Sequence, residues 1–353
     1  QKKTSATADK YFNENYSFEK RLKQINNEVQ STKYWNEFSE MGWLGLPFSE
    51  ESGGLGGKIT DIMVLMESFG KALVLDSYVV HVLVSGMLLE KQEKKNIAKN
   101  YLLDLLEGKK RFTFAFAESN SGYNLDILST VAIKEGDDYL LQGKKTFVIG
   151  LEKSDFIIFP AIEKNTDNIV LFCMPKNLES LDLNYYRTLD DTEAGDITFN
   201  NVKINQNMVL GIYKKIDYLN LIENIIDFAT LATCSDALGI IDKMYDKTLE
   251  YAKTREQFGK KIGSFQVIQH KLVDIYIKKE EMRSLNYMAQ ISLHKSDTER
   301  KKSISLNKVF LGLEAKKIGQ ECIQIHGGMG VANEMDIGHY FKRLTVMCGL
   351  FGN

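Results

Sequence analysis

Proline is scarce in this chain: Pro47, Pro160 and Pro175 are the only three in 353 residues. Long stretches therefore lack the residue that most reliably ends a helix. Cysteine is equally sparse, and Cys173, Cys234, Cys322 and Cys348 stand far apart with no C-x-x-C pair. That spacing excludes a disulfide framework or a cysteine metal cluster, and a reducing cytoplasm is the expected compartment. Charge of one sign is missing too. The formal net charge is −2 and the basic runs, such as Lys109-Lys110-Arg111, are short. No basic field exists to hold nucleic acid. The most apolar stretch, Tyr78 to Leu89, is short and broken by His81, Ser85 and Gly86, so no membrane span is expected. The N-terminus has no signal-peptide core. A start at Gln1 and an abrupt end at Asn353 are those expected of a trimmed chain.

Several common motifs fail on inspection. Ser52-Gly53-Gly54-Leu55-Gly56-Gly57-Lys58-Ile59 has Ser52 where a phosphate loop needs its first Gly, and Ile59 where it needs Ser or Thr. Gly328-Met329-Gly330 is followed by Asn333 where a dinucleotide fingerprint needs Gly. The five histidines have no metal-ligand spacing, and no serine-hydrolase elbow occurs. Packed or surface imidazole is the expected role of each histidine, with His326 set apart by its glycine-rich surroundings.

What is present falls into three textures, which predict an α+β protein. Residues 1–108 carry apolar residues three and four apart, the pattern of helices. Residues 109–215 alternate short aromatic and aliphatic runs with turn clusters, the pattern of a small β-barrel or sandwich. Residues 216–353 return to helical stripes: Ile222, Ile225, Ile226 and Ala229; then Ile268, Leu272, Ile275, Met282 and Leu285; then Leu306, Val309, Phe310 and Leu313. Such helices pack as a four-helix-type bundle. Gly327 and Gly328 are expected to cap a helix in the left-handed conformation.

Five stretches in order carry a resemblance. They are Gly42-Trp43-Leu44-Gly45-Leu46-Pro47, Gly53-Gly54-Leu55-Gly56, Ala117-Glu118 through Asn124, Lys253-Thr254-Arg255 through Gln266, and Gln324 through Gly330. Over nearly the whole chain they resemble the acyl-CoA dehydrogenase family. The resemblance implies that family's fold, with an N-terminal helical domain, a middle β-barrel domain and a C-terminal four-helix bundle. It implies FAD as cofactor, an acyl-CoA substrate, and an electron acceptor such as an electron-transfer flavoprotein. It also implies roles. Arg255 matches the residue that binds the pyrophosphate of a neighbouring subunit's FAD, a task for which a guanidinium fork is suited. Phe258 matches the aromatic residue beside it. Gln324, Gly327 and Gly328 match the segment that approaches the neighbour's adenosine half, where absent side chains admit close backbone.

The departures are as informative. Where the family's own-flavin stretch resembles T-E-P-x-x-G-S-D, this chain has Ala117, Ser119, Tyr123 and Asn124, and where the family has W-I-T it has Phe147-Val148-Ile149. Hydroxyls that would fix the flavin are thereby absent. The family's catalytic Glu removes a proton alpha to the thioester. Counted from Arg343 its place falls on Gly352, and a one-residue slip gives Phe351; the alternative helical place, counted from Arg255, is Ala229. No catalytic residue is assigned. This pattern resembles the Glu-lacking small subunits of heteromeric acyl-CoA dehydrogenases of the pimeloyl-CoA and steroid side-chain types. It implies a Glu-bearing partner subunit and a dimer of heterodimers. Two other readings stay open: a homomeric dehydrogenase using Asp227 or Glu223 as base, and a flavin-free scaffold.

Overall fold

The structure, a computed structural model, describes residues 2–30, 32–92, 96–178 and 180–352. Asn353, the last residue of the stretch counted from Arg343, lies outside them. The first helices are α1 (Lys2–Asn15), α2 (Phe18–Ile25), α3 (Lys33–Glu40), α4 (Ile59–Ala72), α5 (Ser85–Glu90) and α6 (Asn96–Leu106). Eight strands follow: β1 (Phe112–Phe114), β2 (Val131–Glu135), β3 (Asp138–Ile149), β4 (Phe156–Glu163), β5 (Ile169–Pro175), β6 (Leu181–Arg187), β7 (Glu193–Asn205) and β8 (Val209–Tyr213). The chain then returns to helix in α7 (Lys215–Thr254), turns through a hairpin of β9 (Glu256–Gln257) and β10 (Lys260–Lys261), and continues as α8 (Gln266–Ser292), α9 (Asp297–Phe310), α10 (Lys316–His326) and α11 (Asp336–Met347). The expected α+β order of helices, sheet and helices is observed. By packing, the chain forms two compact units: residues 1–28, 58–75 and 230–353 in one, and 29–57 and 76–229 in the other.

The sheet lies in the second unit and runs β6-β7-β3-β2-β4-β5-β8, with β1 parallel to β4 and β2 parallel to β4; its remaining pairs are antiparallel. It is strongly curled. Phe159 on β4 stacks on Phe199 on β7 with ring centroids 4.9 Å apart. These strands stand three places apart in the order, which in a flat sheet is roughly 14 Å. The curl closes around Leu141, Phe159, Phe172, Ile197 and Phe199, all at most 2% exposed, which is the barrel-like core that alternating apolar runs require.

In the first unit the helices pack on the C-terminal half of α7. Gly70 of α4 and Gly239 of α7 set the crossing. A Cβ on Gly70 would lie 1.9 Å from the Asp236 carbonyl oxygen, and one on Gly239 1.9 Å from that of Glu67. Only hydrogen fits between the backbones there. The expected first and second stripes face inward: Ile222 and Ile225 are buried, as are Leu272, Ile275 and Met282.

Two expectations are corrected. The stripe of Leu306, Val309 and Leu313 points outward, and only Phe310 of that set packs on the core. Ile304, Asn307, Lys308 and Leu311 face inward instead. Both polar residues have a partner for their donor groups, although the buried Asn307 Oδ1 has none among the described residues. Asn307 Nδ2 donates to Asn286 Oδ1 at 3.1 Å, and Lys308 Nζ donates to the carbonyl of Met347 at 2.6 Å. Gly327 does end α10, but with φ 62° and ψ −142° it adopts a conformation open essentially to glycine alone, rather than the left-handed helical one. The helix α7 is long and apolar enough to cross a membrane by length and composition, and its apolar window is 89% buried within the protein, as a core helix is.

The glycine crossing predicts a specific sensitivity. Gly239→Val should lower unfolding stability by about 3 kcal/mol or more, since backbone must move on both helices. Chemical denaturation followed by circular dichroism reads this directly, and an unchanged midpoint would refute the tight crossing.

Candidate active site

The β-unit holds a ledge built on Glu118, just after β1. Glu118 Oε1 accepts from Lys145 Nζ at 2.7 Å, from Thr130 Oγ1 at 2.7 Å and from Thr130 N at 3.1 Å, while Oε2 accepts from Ser129 N. Burial works to raise the pKa of this carboxyl, but Lys145 and the surrounding donors hold it below the ordinary range. Ser121 Oγ then closes the turn, accepting from Glu118 N and donating to Glu118 O. The segment through Asn124 is thus pinned to β2 and β3.

Alongside it β3 carries a bulge. Pairing with β7 slips between Lys145 and Val148, and Phe147 adopts φ 52° with its amide donating to Asp196 Oδ1 at 3.2 Å. Its ring is left half-exposed. Thr113 Oγ1 donates to Ile149 O at 2.6 Å. Gly150 follows at φ 74°, where a Cβ would lie 2.5 Å from the His81 ring. His81 is neutral, its pKa pushed down to about 3 by burial and by the nearby Arg111 charge, and its Nδ1 sits 2.7 Å from the Phe112 carbonyl.

Ala117 and Ile149 carry no polar side-chain group, Tyr123 is exposed, and the Asn124 Oδ1 accepts from the Asp126 amide at 2.9 Å.

The other unit carries the opposite arrangement. At the end of α7, Arg255 N donates to Tyr251 O at 2.8 Å and Arg255 O accepts from Ile262 N at 2.9 Å. The backbone is fixed, while the exposed guanidinium has no hydrogen-bond or ion-pair partner among the described residues. Gln257 pairs with Lys260 across a two-residue turn, Phe258-Gly259, with φ 55° and 78°. Positive φ at both places is the type I′ turn, which prefers Asn-Gly and disfavours an aromatic residue. Phe258 is nevertheless there, 92% exposed, with only Phe265 edge-on at 6.3 Å.

Tyr251 joins this hairpin to the Gln324–Gly330 segment. Its carbonyl holds Arg255 and its ring stacks on His326 at 4.4 Å. His326 Nδ1 sits 2.8 Å from Cys322 O, and burial lowers its pKa, so it is a packed imidazole rather than a ligand. Gln324, Gly327 and Gly328 lie exposed beside it, and a Cβ on either glycine would meet nothing within 4 Å. Gly327 is required by its own backbone conformation at the end of α10, whereas packing within the chain does not account for Gly328.

The two places expected for a base carry none. Ala229 is fully buried in α7, and Gly352 has φ 130° with open space at its Cβ position. Thr230, the next residue of α7, lies 3.5 Å from the Phe351 carbonyl and donates to it. Asp227 and Glu223 sit two and six residues before Ala229. At about 100° per residue they project roughly 160° and 120° away from its face.

Family comparison agrees with this layout. A model of the acyl-CoA dehydrogenase N-terminal domain matches residues 1–109, and one of the C-terminal domain matches residues 219–353. The chain belongs to the acyl-CoA dehydrogenase family. Members are oxidoreductases that act on the CH–CH bond of acyl-CoA with FAD. The chain is 28% identical to a 3-(aryl)acrylate reductase of Clostridium sporogenes, over 93% of this chain and 90% of the relative. It is also 28% identical to the CarC subunit of the caffeyl-CoA reductase–Etf complex of Acetobacterium woodii, over 88% and 83%. Its fold is similar to that in the ChsE4–ChsE5 complex of Mycobacterium tuberculosis, with TM-score 0.85, 19% identity, and 98% and 91% coverage.

The residues fit the family's FAD unequally. The unpaired Arg255, exposed Phe258 and open Gly327 and Gly328 would suit a pyrophosphate and adenosine approaching from outside the chain. The ledge supplies backbone shape for a flavin ring but lacks the hydroxyls that would orient it. Sequence reasoning had missed the Glu118–Lys145 pair. Its signal was available: Lys144 and Lys145 are adjacent on a strand, so one of them must face inward.

Two buried carboxylates predict a pH dependence. Burial pushes Glu193, beside the bulge, and Glu67, in the helical unit, each up to about 7, against 4.5 for the free side chain. A raised folded pKa means the folded state binds more protons between these values, so stability present near pH 4.5 is lost as pH rises through 7. Melting temperature should fall from pH 5.5 to pH 8. Glu193→Gln should remove part of that slope and Glu193→Gln with Glu67→Gln most of it; a slope unchanged in the double variant would contradict the assignment.

Proposed function

We propose that this chain is the non-catalytic subunit of a heteromeric FAD-dependent acyl-CoA dehydrogenase, completing the FAD site of a Glu-bearing partner subunit. One observation supports the reading: Arg255, Phe258, Gly327 and Gly328 stand exposed, the guanidinium without a hydrogen-bond or ion-pair partner among the described residues, while Ala229 and Gly352 occupy the places counted for a base. The partner supplies the base that removes the alpha proton and the flavin that takes the hydride. This chain contributes a charge-assisted contact to the pyrophosphate and carries no carboxylate at Ala229 or at Gly352, where the Cβ position borders open space. An electron-transfer flavoprotein is the acceptor we favour, and the cytoplasm the compartment. Bulky acyl groups, including fatty or steroid side chains, suit such a widened enzyme.

A second reading has its own support. The two named relatives are reductases, one of them a subunit of an Etf-containing complex. The assembly would then run in the reverse direction, reducing a carbon–carbon double bond conjugated to the thioester, with the same division of labour between subunits. The homomeric alternative is weakened by the helical angles of Asp227 and Glu223, and the scaffold alternative by the unpaired Arg255.

The test is flavin content. The isolated chain should carry little FAD, and coexpression with a Glu-bearing family member from the same genome should give one flavin for each pair of subunits. Arg255→Ala in this chain should weaken flavin retention by the complex about 10- to 100-fold, the loss of one charged hydrogen-bonding partner. A yellow isolated chain that reduces a dye with acyl-CoA would overturn the reading.

A further inference from the structure

A cavity of about 430 Å³ opens within the helical unit, and none of the residues weighed above as flavin contacts or as a base lines it. Its walls come from α1 and the turn into α2, the end of α4, the middle of α7 and the start of α11. Sites for small molecules have this size, and they combine an apolar wall with a few placed polar groups.

The apolar wall is aromatic: Phe12, Tyr16, Phe18 and Tyr340 line it. Both tyrosine hydroxyls are already committed. Tyr16 Oη donates to Gln24 Oε1 at 2.8 Å, and Tyr340 Oη donates to the Lys71 carbonyl at 2.6 Å. What these residues can offer an occupant is ring surface.

The charges are of both signs, but they are not equally free. Lys71, Lys243 and Lys247 line the cavity together with Asp9, Asp246 and Asp336. Lys243 and Lys247 stand four apart on α7 and so share a face. Asp9 accepts from Ser68 Oγ at 2.7 Å and from Ser5 Oγ at 3.2 Å. Lys71 Nζ is left 3.8 Å from it, beyond hydrogen-bond length. Lys247 and Asp336 neutralise each other at 2.8 Å. Lys243 has no hydrogen-bond or ion-pair partner among the described residues. Asp246 stands exposed on the rim, where water solvates it. Inside the rim, then, unsatisfied ammonium donors outnumber unsatisfied carboxylate acceptors, and an anion satisfies them.

We infer that this cavity binds a mononucleotide, its phosphate between Lys71 and Lys243 and its base against the aromatic wall. The inference does not depend on the proposed function, because no flavin contact is involved. Isothermal titration calorimetry of the full-length chain with AMP should give a dissociation constant below about 1 mM. Inorganic phosphate and adenosine, each carrying half of the chemistry, should bind at least ~10-fold more weakly. Lys71→Ala with Lys243→Ala should weaken AMP binding at least ~10-fold, while far-ultraviolet circular dichroism stays the same. Lys243→Glu alone tests the site again should the double variant lose helicity. Arg255→Ala should leave AMP binding as it is. The inference is overturned by a chain that does not bind AMP, by binding that survives the lysine variants, or by phosphate binding as tightly as AMP. Binding lost with Arg255→Ala alone would also overturn it, by placing the nucleotide at the FAD contact. Flavin content, which tests the proposed function, is measured separately.

Discussion

A single carboxylate deep in the β-unit fixes the segment that follows β1. Glu118 would be costly to bury alone, and it is tolerable because Lys145 and the donors of Ser129 and Thr130 converge on it. Removing one member of such a pair strands a charge and costs about 3–5 kcal/mol. By contrast, replacing a hydroxyl that would touch only a ligand costs the empty fold almost nothing. This difference is consistent with a ledge that keeps its course through Ser121 while positions 117, 123, 124 and 149 depart from the family's pattern. Folding maintains the one set, and only ligand binding would maintain the other.

The same logic applies with opposite outcome in the helical unit. Arg255, Phe258 and Gly328 do little for the chain's own packing: the guanidinium has no hydrogen-bond or ion-pair partner among the described residues, the ring is 92% exposed, and Gly328 borders open space. Their backbones, however, are firmly placed, by Tyr251 at one side and the Ile262-to-Arg255 bond at the other. A rigid frame carrying unsatisfied groups is how a binding surface differs from a worn loop.

Much of this was legible in the residues alone, and the exceptions share a cause. The inner stripes of α7 and α8 could be read because apolar residues coincide with the core side. On α9 they do not: Asn307 and Lys308 face inward, donating to Asn286 and to the carbonyls at the end of α11, so periodicity selected the outer face. Tertiary partners decide such cases, and a local pattern does not contain them. The R-x-x-F-G spacing marked the hairpin, but the left-handed backbone of Phe258 contradicts turn preference and could not be anticipated from it. The bulge at Thr146 and Phe147 depends on Asp196, fifty residues away in sequence, and was hidden for the same reason. His326, which composition had set apart, proved an ordinary packed ring because Tyr251 stacks on it.

The conformation of Phe258 has a thermodynamic meaning of its own. An aromatic residue in a type I′ turn would be expected to flex toward easier backbone angles, yet strand pairing on both sides holds it at φ 55°. The conformational entropy of that loop is surrendered when the chain folds, before any dinucleotide arrives. A ligand reaching Arg255 and Phe258 then loses mainly its own freedom, because the receptor is preorganised. Glycine in place of Phe258 would ease the turn and return that disorder to the binding step.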